Sequence, residues 1–148
     1  MEEIRMILKD LDAEILSQKE AGIDADVVED GTTFEENALI KAREIRKIAS
    51  AMEKYKEAVI LADDSGLEID YLNKEPGIYS ARYLGEDTSY DIKNNALLDR
   101  LAGVPDEDRT ARFVCAIAAA FPDGTVEVVR GTMEGRIGYE IAGEHGFG

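Results

Sequence analysis

Residues 58–67 read Ala58-Val59-Ile60-Leu61-Ala62-Asp63-Asp64-Ser65-Gly66-Leu67, an apolar run that ends abruptly in two carboxylates, a hydroxyl and a glycine. A short apolar run bounded by a turn signal is typical of a strand buried on both faces, as in a parallel sheet. Open α/β sheets bind ligands beyond the carboxyl ends of their strands, so Asp63 and Asp64 are candidates for a cleft site. The pattern leaves an alternative open, in which the two aspartates only solubilise the end of the strand.

The overall composition is that of one globular domain. The chain has 148 residues, of which 45% are apolar and 33% charged, so residues 1–148 can form a single domain with a substantial core. The formal net charge of -15 would repel phosphates over most of the surface, which argues against sequence-independent binding of nucleic acid. A small anionic substrate would need a metal ion or a local cluster of lysine and arginine.

The sequence predicts a soluble, cytoplasmic protein with no membrane partner. Its apolar segments fall short of the ~20 residues that span a bilayer, and its first residues lack the features of a signal peptide. Cys115 is the only cysteine, which excludes an internal disulfide and suits a reducing compartment. Because Cys115 lies in an apolar run, we expect it to be a small buried side chain and not a nucleophile.

The clearest helix begins at Thr33. Thr33-Phe34-Glu35-Glu36 matches a capping box, in which the Thr33 hydroxyl and the Glu36 carboxylate satisfy backbone amides reciprocally. A continuous apolar face follows at helical spacing, formed by Phe34, Ala38, Ala42, Ile45, Ala49 and Met52. Asn37 and Lys41 are four residues apart, so they share a face at the border of this stripe. The alternative for Lys41 is that it only extends its charge into water.

The rest of the chain predicts a second helix and several extended segments. Apolar spacing and stop signals indicate a helix over about residues 89–101 and a long central strand over residues 110–121. Pro122-Asp123-Gly124 is a turn signal that joins this strand to residues 126–129 in a hairpin. Residues 131–141 are predicted to be extended.

The aspartate stretch and the helix beginning at Thr33 together resemble one enzyme family, the non-canonical purine nucleoside triphosphate pyrophosphatases, also called inosine/xanthosine triphosphate pyrophosphatases. Further motifs agree in order along nearly the whole chain: Pro76-Gly77-Ile78-Tyr79-Ser80-Ala81-Arg82-Tyr83, Arg109-Thr110-Ala111-Arg112-Phe113, Pro122-Asp123-Gly124 and Gly146-Phe147-Gly148. Any one of these motifs would be weak evidence, but their common order makes chance agreement very improbable.

The resemblance implies an α/β fold with an elongated, twisted, mixed sheet flanked by helices and a central cleft between two lobes. It also implies a homodimer and Mg²⁺-dependent hydrolysis of deaminated purine nucleoside triphosphates (ITP, dITP or XTP) to the monophosphate and pyrophosphate, which cleans the nucleotide pool. The chemistry agrees with such a site, because Mg²⁺ is typically held by one or two carboxylates plus substrate phosphates. A nearby carboxylate could accept the proton of an attacking water.

The resemblance also assigns roles to particular residues. Asp64 corresponds to the family's proton acceptor and a metal ligand, Asp63 to its catalytic neighbour, and Glu29 to an acidic metal-binding position upstream. Lys41 corresponds to a lysine that contacts phosphate and Phe147 to an aromatic residue that packs against the base. The implied substrate-binding set is Asn37, Lys41, Ser65, Phe147 and Gly148.

Strand geometry restricts how Asp63 and Asp64 could act together. Consecutive residues of an ideal strand point to opposite faces, so the two carboxylates could converge on one ion only if the strand has already ended. Gly66 is a plausible position for such a break.

Compared with the family pattern, the sequence lacks an N-terminal strand with its phosphate-binding loop and a C-terminal segment that recognises the base. We therefore expect an incomplete fold and weak or absent pyrophosphatase activity. The alternative function is that of a non-catalytic family fragment that folds and associates. A phosphatase with an aspartyl nucleophile is a third option, but such enzymes typically place two aspartates one residue apart, whereas Asp63 and Asp64 are adjacent.

Overall fold

A computed structural model describes residues 2–143 of the chain. The α-helices are α1 (Glu2–Ile7), α2 (Phe34–Ser50) and α3 (Tyr90–Arg100), and the strands are β1 (Ile60–Ile69), β2 (Glu75–Pro76), β3 (Thr110–Ala120) and β4 (Val126–Arg136). Short 3-10 helices span Asp70–Leu72, Gly77–Arg82 and Asp106–Asp108. Among these described residues, no helix is long and apolar enough to cross a membrane.

The strands form one sheet in the order β2-β1-β3-β4, with helices packed against it. The predicted α/β class with a helix-flanked sheet is thus confirmed. Each strand pair in the described part of the chain is antiparallel, however, so the prediction of a parallel strand at residues 58–62 is wrong. That apolar run is not buried on both faces either, since Val59 is 50% exposed and Leu61 45% exposed. One face of the run packs on α2, which accounts for apolar residues there. The other face is only partly covered.

Strand β1 does not end at the two aspartates. It continues to Ile69 and keeps its register with β3, pairing Asp64 with Ala116 and Gly66 with Val114. The predicted break at Gly66 is therefore wrong. This glycine serves a different purpose, because a Cβ atom placed on it would lie 2.4 Å from the Gly77 oxygen and 2.6 Å from the Ser80 hydroxyl. It allows the Gly77–Arg82 3-10 helix to press against β1.

Hydrogen bonds of Ser80 stabilise this contact. Its hydroxyl donates to the Gly77 carbonyl at 2.6 Å and accepts from the Leu67 amide at 2.9 Å. The 3-10 helix is thus tied to the strand one residue beyond Gly66, and its following residues line the space above the strand.

Two main hydrophobic clusters lie at different positions along the sheet. The first joins Phe34, Ala38 and Ala42 of α2 to alternate residues of β3, namely Val114, Ala116, Ala118 and Ala120. The second surrounds the C-terminal end of α3 and consists of Ile69, Leu72, Leu97, Leu101, Val104 and Ala111. The helix predicted at residues 89–101 and the strand and hairpin predicted at 110–129 are confirmed. The first cluster reaches the level of the aspartates, since Ala116 pairs with Asp64, and the second lies at the Ile69 end of β1.

Cys115 departs from its prediction. It is only partly buried and lines a cavity beside Ser65, its pairing partner on β1. Residues of β3 with odd numbers face away from α2, so Cys115 lies on the less covered face of the sheet.

We expect the substitution Gly66→Ala to destabilise the protein by about 2 kcal/mol, since overpacking at a site that cannot relax costs roughly that much. The new methyl group would collide with the Gly77 backbone and the Ser80 hydroxyl. In a thermal unfolding experiment this corresponds to a Tm lower by roughly 5 °C.

Gly135→Ala on β4 is the matched control, because a Cβ atom there meets nothing within 4 Å. Equal melting temperatures for the two variants would contradict the close-approach role of Gly66.

Candidate active site

A cavity of about 730 Å³ opens beside the middle of β1. Its walls come from β1, β3, β4, α2, α3 and the Gly77–Arg82 3-10 helix. The volume is within the usual range for sites that bind small molecules. The charged side chains that line it are Glu29, Lys41, Asp63, Asp64 and Lys93.

Asp64 is the most unusual of these residues. It is only 8% exposed, and its Oδ2 atom is buried without a hydrogen-bond partner in the described part of the chain. A buried carboxylate oxygen without a partner is costly, so its presence in a native fold calls for an explanation. Asp64 also lines the cavity, so its carboxyl group lies where a ligand would bind.

Lys41 connects Asp64 to Glu29. Its Nζ atom lies 3.1 Å from Glu29 Oε1 and 4.0 Å from Asp64 Oδ1, and it donates to the Asp63 carbonyl. Lys41 is therefore engaged at the site and does not extend freely into water. One cation between two carboxylates leaves the group with a net negative charge.

Burial raises the pKa of Asp64 above its usual range. The Lys41 ammonium and the Asn37 amide act in the opposite direction, while the charges of Glu29 and Asp63 raise the pKa further. The net shift is upward, so desolvation outweighs the attraction of Lys41. Such a carboxylate accepts a proton more readily than an exposed aspartate does.

Asn37 is fully buried at the start of α2. Its Oδ1 atom accepts from the Gly31 amide at 2.8 Å, which directs Nδ2 to the other side, where it makes no hydrogen bond of ordinary geometry with the described residues. The helix start itself matches the predicted cap, since Thr33 Oγ1 accepts from the Glu36 amide. Glu36 in turn accepts mainly from the Thr32 amide, at 2.7 Å, while the Thr33 amide, which the capping-box pattern predicted as the partner, makes a smaller contribution.

Asp63 and Ser65 lie on the opposite face of β1 from Asp64. Asp63 is exposed, and its Oδ2 atom accepts from the Ser65 hydroxyl at 3.3 Å. Because β1 is unbroken here, the two neighbouring aspartates point to opposite faces of the sheet. Both side chains nevertheless line the same cavity, because it opens along the strand and not on one face alone.

The arrangement can hold a divalent cation of the magnesium type. The described residues contain no cluster of three or more histidine, cysteine, aspartate or glutamate side chains suited to a metal ion. Mg²⁺ does not need such a cluster, since it usually keeps several waters and binds one or two carboxylates plus substrate phosphates. The unpartnered oxygen of Asp64, with Glu29 nearby on Lys41, meets that lower requirement.

Two predicted site residues, Phe147 and Gly148, lie outside the described residues. Conversely, sequence analysis missed Lys93, which lines the cavity from α3 and is 3% exposed. Its spacing was a usable signal, because Lys93, Leu97 and Leu101 are four residues apart and share one helix face. A helix position on the same face as two core leucines is not expected to be solvated, and a lysine there is unusual.

Known proteins resemble this chain in sequence and in structure. Two bacterial proteins named dITP/XTP pyrophosphatase are close in sequence: that of Clostridium perfringens is 49% identical over 148 residues, covering all of this chain and 72% of the relative. That of Caldanaerobacter subterraneus is 45% identical over 147 residues, covering 99% of this chain and 70% of the relative.

The fold has solved counterparts as well. The structure of the Staphylococcus aureus Ham1 protein superposes with a TM-score of 0.81 at 41% identity, covering 99% of this chain and 71% of that one. The sequence pattern of the Ham1 family matches residues 1–148. With a matching fold, a matching sequence over its whole length and a cavity built around Asp64, this chain belongs to the Ham1 family.

Proposed function

We propose that this protein hydrolyses deaminated purine nucleoside triphosphates, such as ITP, dITP and XTP, to the monophosphate and pyrophosphate. The observation that carries the proposal is the buried, unpartnered carboxylate oxygen of Asp64 in the wall of a cavity large enough for a nucleotide. The names of the related bacterial proteins supply the class of substrate.

In the reaction a water molecule attacks the α-phosphorus. A new P–O bond forms, the bond to the bridging oxygen breaks, and pyrophosphate leaves with the electron pair of that bond. Asp64 accepts the proton of the water, a role that its raised pKa favours. Asp63, on the other face of β1, and Ser65, hydrogen-bonded to it, bind polar groups of the substrate from the same cavity.

Mg²⁺, held by Asp64 and Glu29 together with substrate phosphates, would neutralise negative charge on the triphosphate and stabilise the leaving pyrophosphate. Lys41 keeps the two carboxylates in place and presents its charge to a phosphate. Asn37 directs its amide toward the site from the helix start, while Phe147 and Gly148 complete the substrate-binding set by family resemblance.

We further propose a homodimer in the cytoplasm. The face of β3 and β4 that points away from α2 exposes large apolar side chains, including Val129 at 66% and Met133 at 71%. Exposed apolar patches on a soluble protein commonly mark interfaces.

The nucleotide specificity is tested by measuring pyrophosphate release from ITP, XTP, ATP and GTP in the presence of Mg²⁺. We expect ITP and XTP to be the preferred substrates. Asp64→Asn should lower kcat by roughly 10²- to 10⁴-fold, because it removes the proton acceptor.

Asp99→Asn on the exposed face of α3 is the matched control, since it makes the same chemical change away from the cavity. Retention of full activity by the Asp64→Asn variant, or equal rates with all four nucleotides, would refute the proposed reaction.

Asp64→Asn should also raise the Tm at pH 7 in the presence of a chelator. Because the pKa of Asp64 is higher in the folded than in the unfolded chain, its ionised form costs stability above its unfolded pKa, and the amide removes that cost. Well below the unfolded pKa of about 3.9, where the carboxyl is protonated in both states, the gain should disappear. Addition of Mg²⁺ should raise the Tm of the parent protein and not that of the variant.

A lower Tm for Asp64→Asn at pH 7, or an equal response of both proteins to Mg²⁺, would show that Asp64 is a structural residue and not the metal-binding carboxylate.

The dimer is tested by measuring the molar mass in solution by light scattering. We expect twice the mass of one chain, and a monomer for Val129→Asp, because a charge in the apolar patch would remain desolvated in the interface. A monomeric parent protein would contradict the proposed dimer without affecting the proposed reaction.

A further inference from the structure

The cavity has a second cation in its wall, contributed by α3, and it is more deeply buried than Lys41. Lys93 of α3 is 3% exposed, and its Nζ atom donates to the Ala81 carbonyl at 2.8 Å. The same ammonium lies 4.9 Å from the centroid of the Tyr90 ring, within the range of a cation–π contact. Both partners are uncharged, so they leave the positive charge of Lys93 without a counter-ion.

This environment differs from that of Lys41. Lys41 has Glu29 and Asp64 as partners within 4.0 Å, whereas no carboxylate of residues 2–143 forms an ion pair with Lys93. The contrast is notable in a chain whose formal net charge is -15. A buried charge is costly unless it is paired. An ammonium has three N–H donors, and one carbonyl and one ring face do not use all of them.

The position of Lys93 explains why the charge cannot move away from the cavity. It shares a helix face with Leu97 and Leu101, which are 6% and 0% exposed and anchor α3 in the second hydrophobic cluster. The side chain one turn before these leucines must therefore extend along the cavity wall, toward the 3-10 helix that Ser80 ties to β1. The cation is held in place by the fold before any ligand arrives.

We propose that Lys93 binds an anionic oxygen of the triphosphate, from the wall of the cavity formed by α3, as a substrate-binding residue separate from the set around Asp64. This inference rests on the proposed function and adds to it. Asp64 and Glu29 would hold a divalent cation that supplies charge neutralisation to the phosphates. Lys93 contributes a direct charge-assisted hydrogen bond from the other side of the cavity.

A purely structural role is the competing explanation, in which Lys93 only fastens Ala81 of the 3-10 helix. Two substitutions separate the explanations. Lys93→Gln keeps an N–H donor for the Ala81 carbonyl and removes the charge, while Lys93→Arg keeps the charge. Lys47→Gln is the control for loss of one positive charge, because Lys47 is exposed on α2 and does not line the cavity.

The experiment measures the binding of inorganic pyrophosphate in saturating Mg²⁺ by calorimetry, with the Tm of each variant recorded alongside. We expect Lys93→Gln to weaken binding by roughly 10- to 100-fold, the loss typical of one hydrogen bond to a charged group. Lys93→Arg should remain within a few fold of the parent protein, and Lys47→Gln should match it.

Pyrophosphate affinity of Lys93→Gln equal to that of the parent protein would overturn the inference. An equal loss of affinity in Lys93→Gln and Lys93→Arg would overturn it too, because the loss would then not depend on the charge of the side chain. If the parent protein releases pyrophosphate from ITP while Lys93→Gln binds pyrophosphate normally, only the role of Lys93 fails. If the parent protein neither hydrolyses ITP nor binds pyrophosphate, the proposed function itself fails.

Discussion

Helix α2 lies against the sheet through alanines, with Ala38 and Ala42 packed in one cluster with Ala116 and Ala118 of β3, all of them fully buried. Small side chains on both surfaces bring the helix axis close to the strands. Asn37 and Lys41 are each one residue before one of these alanines, so the same contact places them at the border between helix and sheet. From there Lys41 reaches the Asp63 carbonyl and the Asp64 carboxylate on β1. Larger residues at the alanine positions would lift the helix and separate the site.

The electrostatics of the site follow from this packing. Close approach of α2 desolvates Asp64, which raises its pKa, and supplies Lys41, which limits the rise. Glu29 adds negative charge on the far side of Lys41. The folded chain thus keeps a carboxylate in an environment that disfavours its ionised form, a cost that a bound cation would offset. Stability and ligand binding are in conflict at this one residue.

Two arginine residues of the Arg109–Phe113 motif join elements of the fold around the cavity. Arg109 is 2% exposed and donates to carbonyls of Leu101, Ile137 and Gly138, at 2.8, 2.9 and 2.6 Å. It therefore joins the end of α3 to the segment after β4. Arg112 pairs with Asp70 and Glu134 at 2.9 and 3.0 Å and bridges neighbouring strands. Within the Arg109–Phe113 motif, Arg109 thus supports the wall from which Lys93 extends, while Arg112 ties β3 to β4 and to the 3-10 helix after β1.

The sequence by itself determined the elements with a strong local signal: the cap and apolar stripe of α2, the extent of α3, the strand and turn of the β3–β4 hairpin, and the ordered motifs that point to the Ham1 family. These features depend on neighbours in the chain, so their spacing is enough to predict them. Only the tertiary structure decided the direction of pairing of β1, its continuation through Asp63 and Asp64, and the role of Gly66. The same apolar run fits a parallel or an antiparallel neighbour, and the partner of β1 is about fifty residues further along the chain. The unpaired charge of Lys93 was likewise beyond local inference, because the absence of a carboxylate partner within residues 2–143 is a property of the packed molecule and not of the helix that carries it.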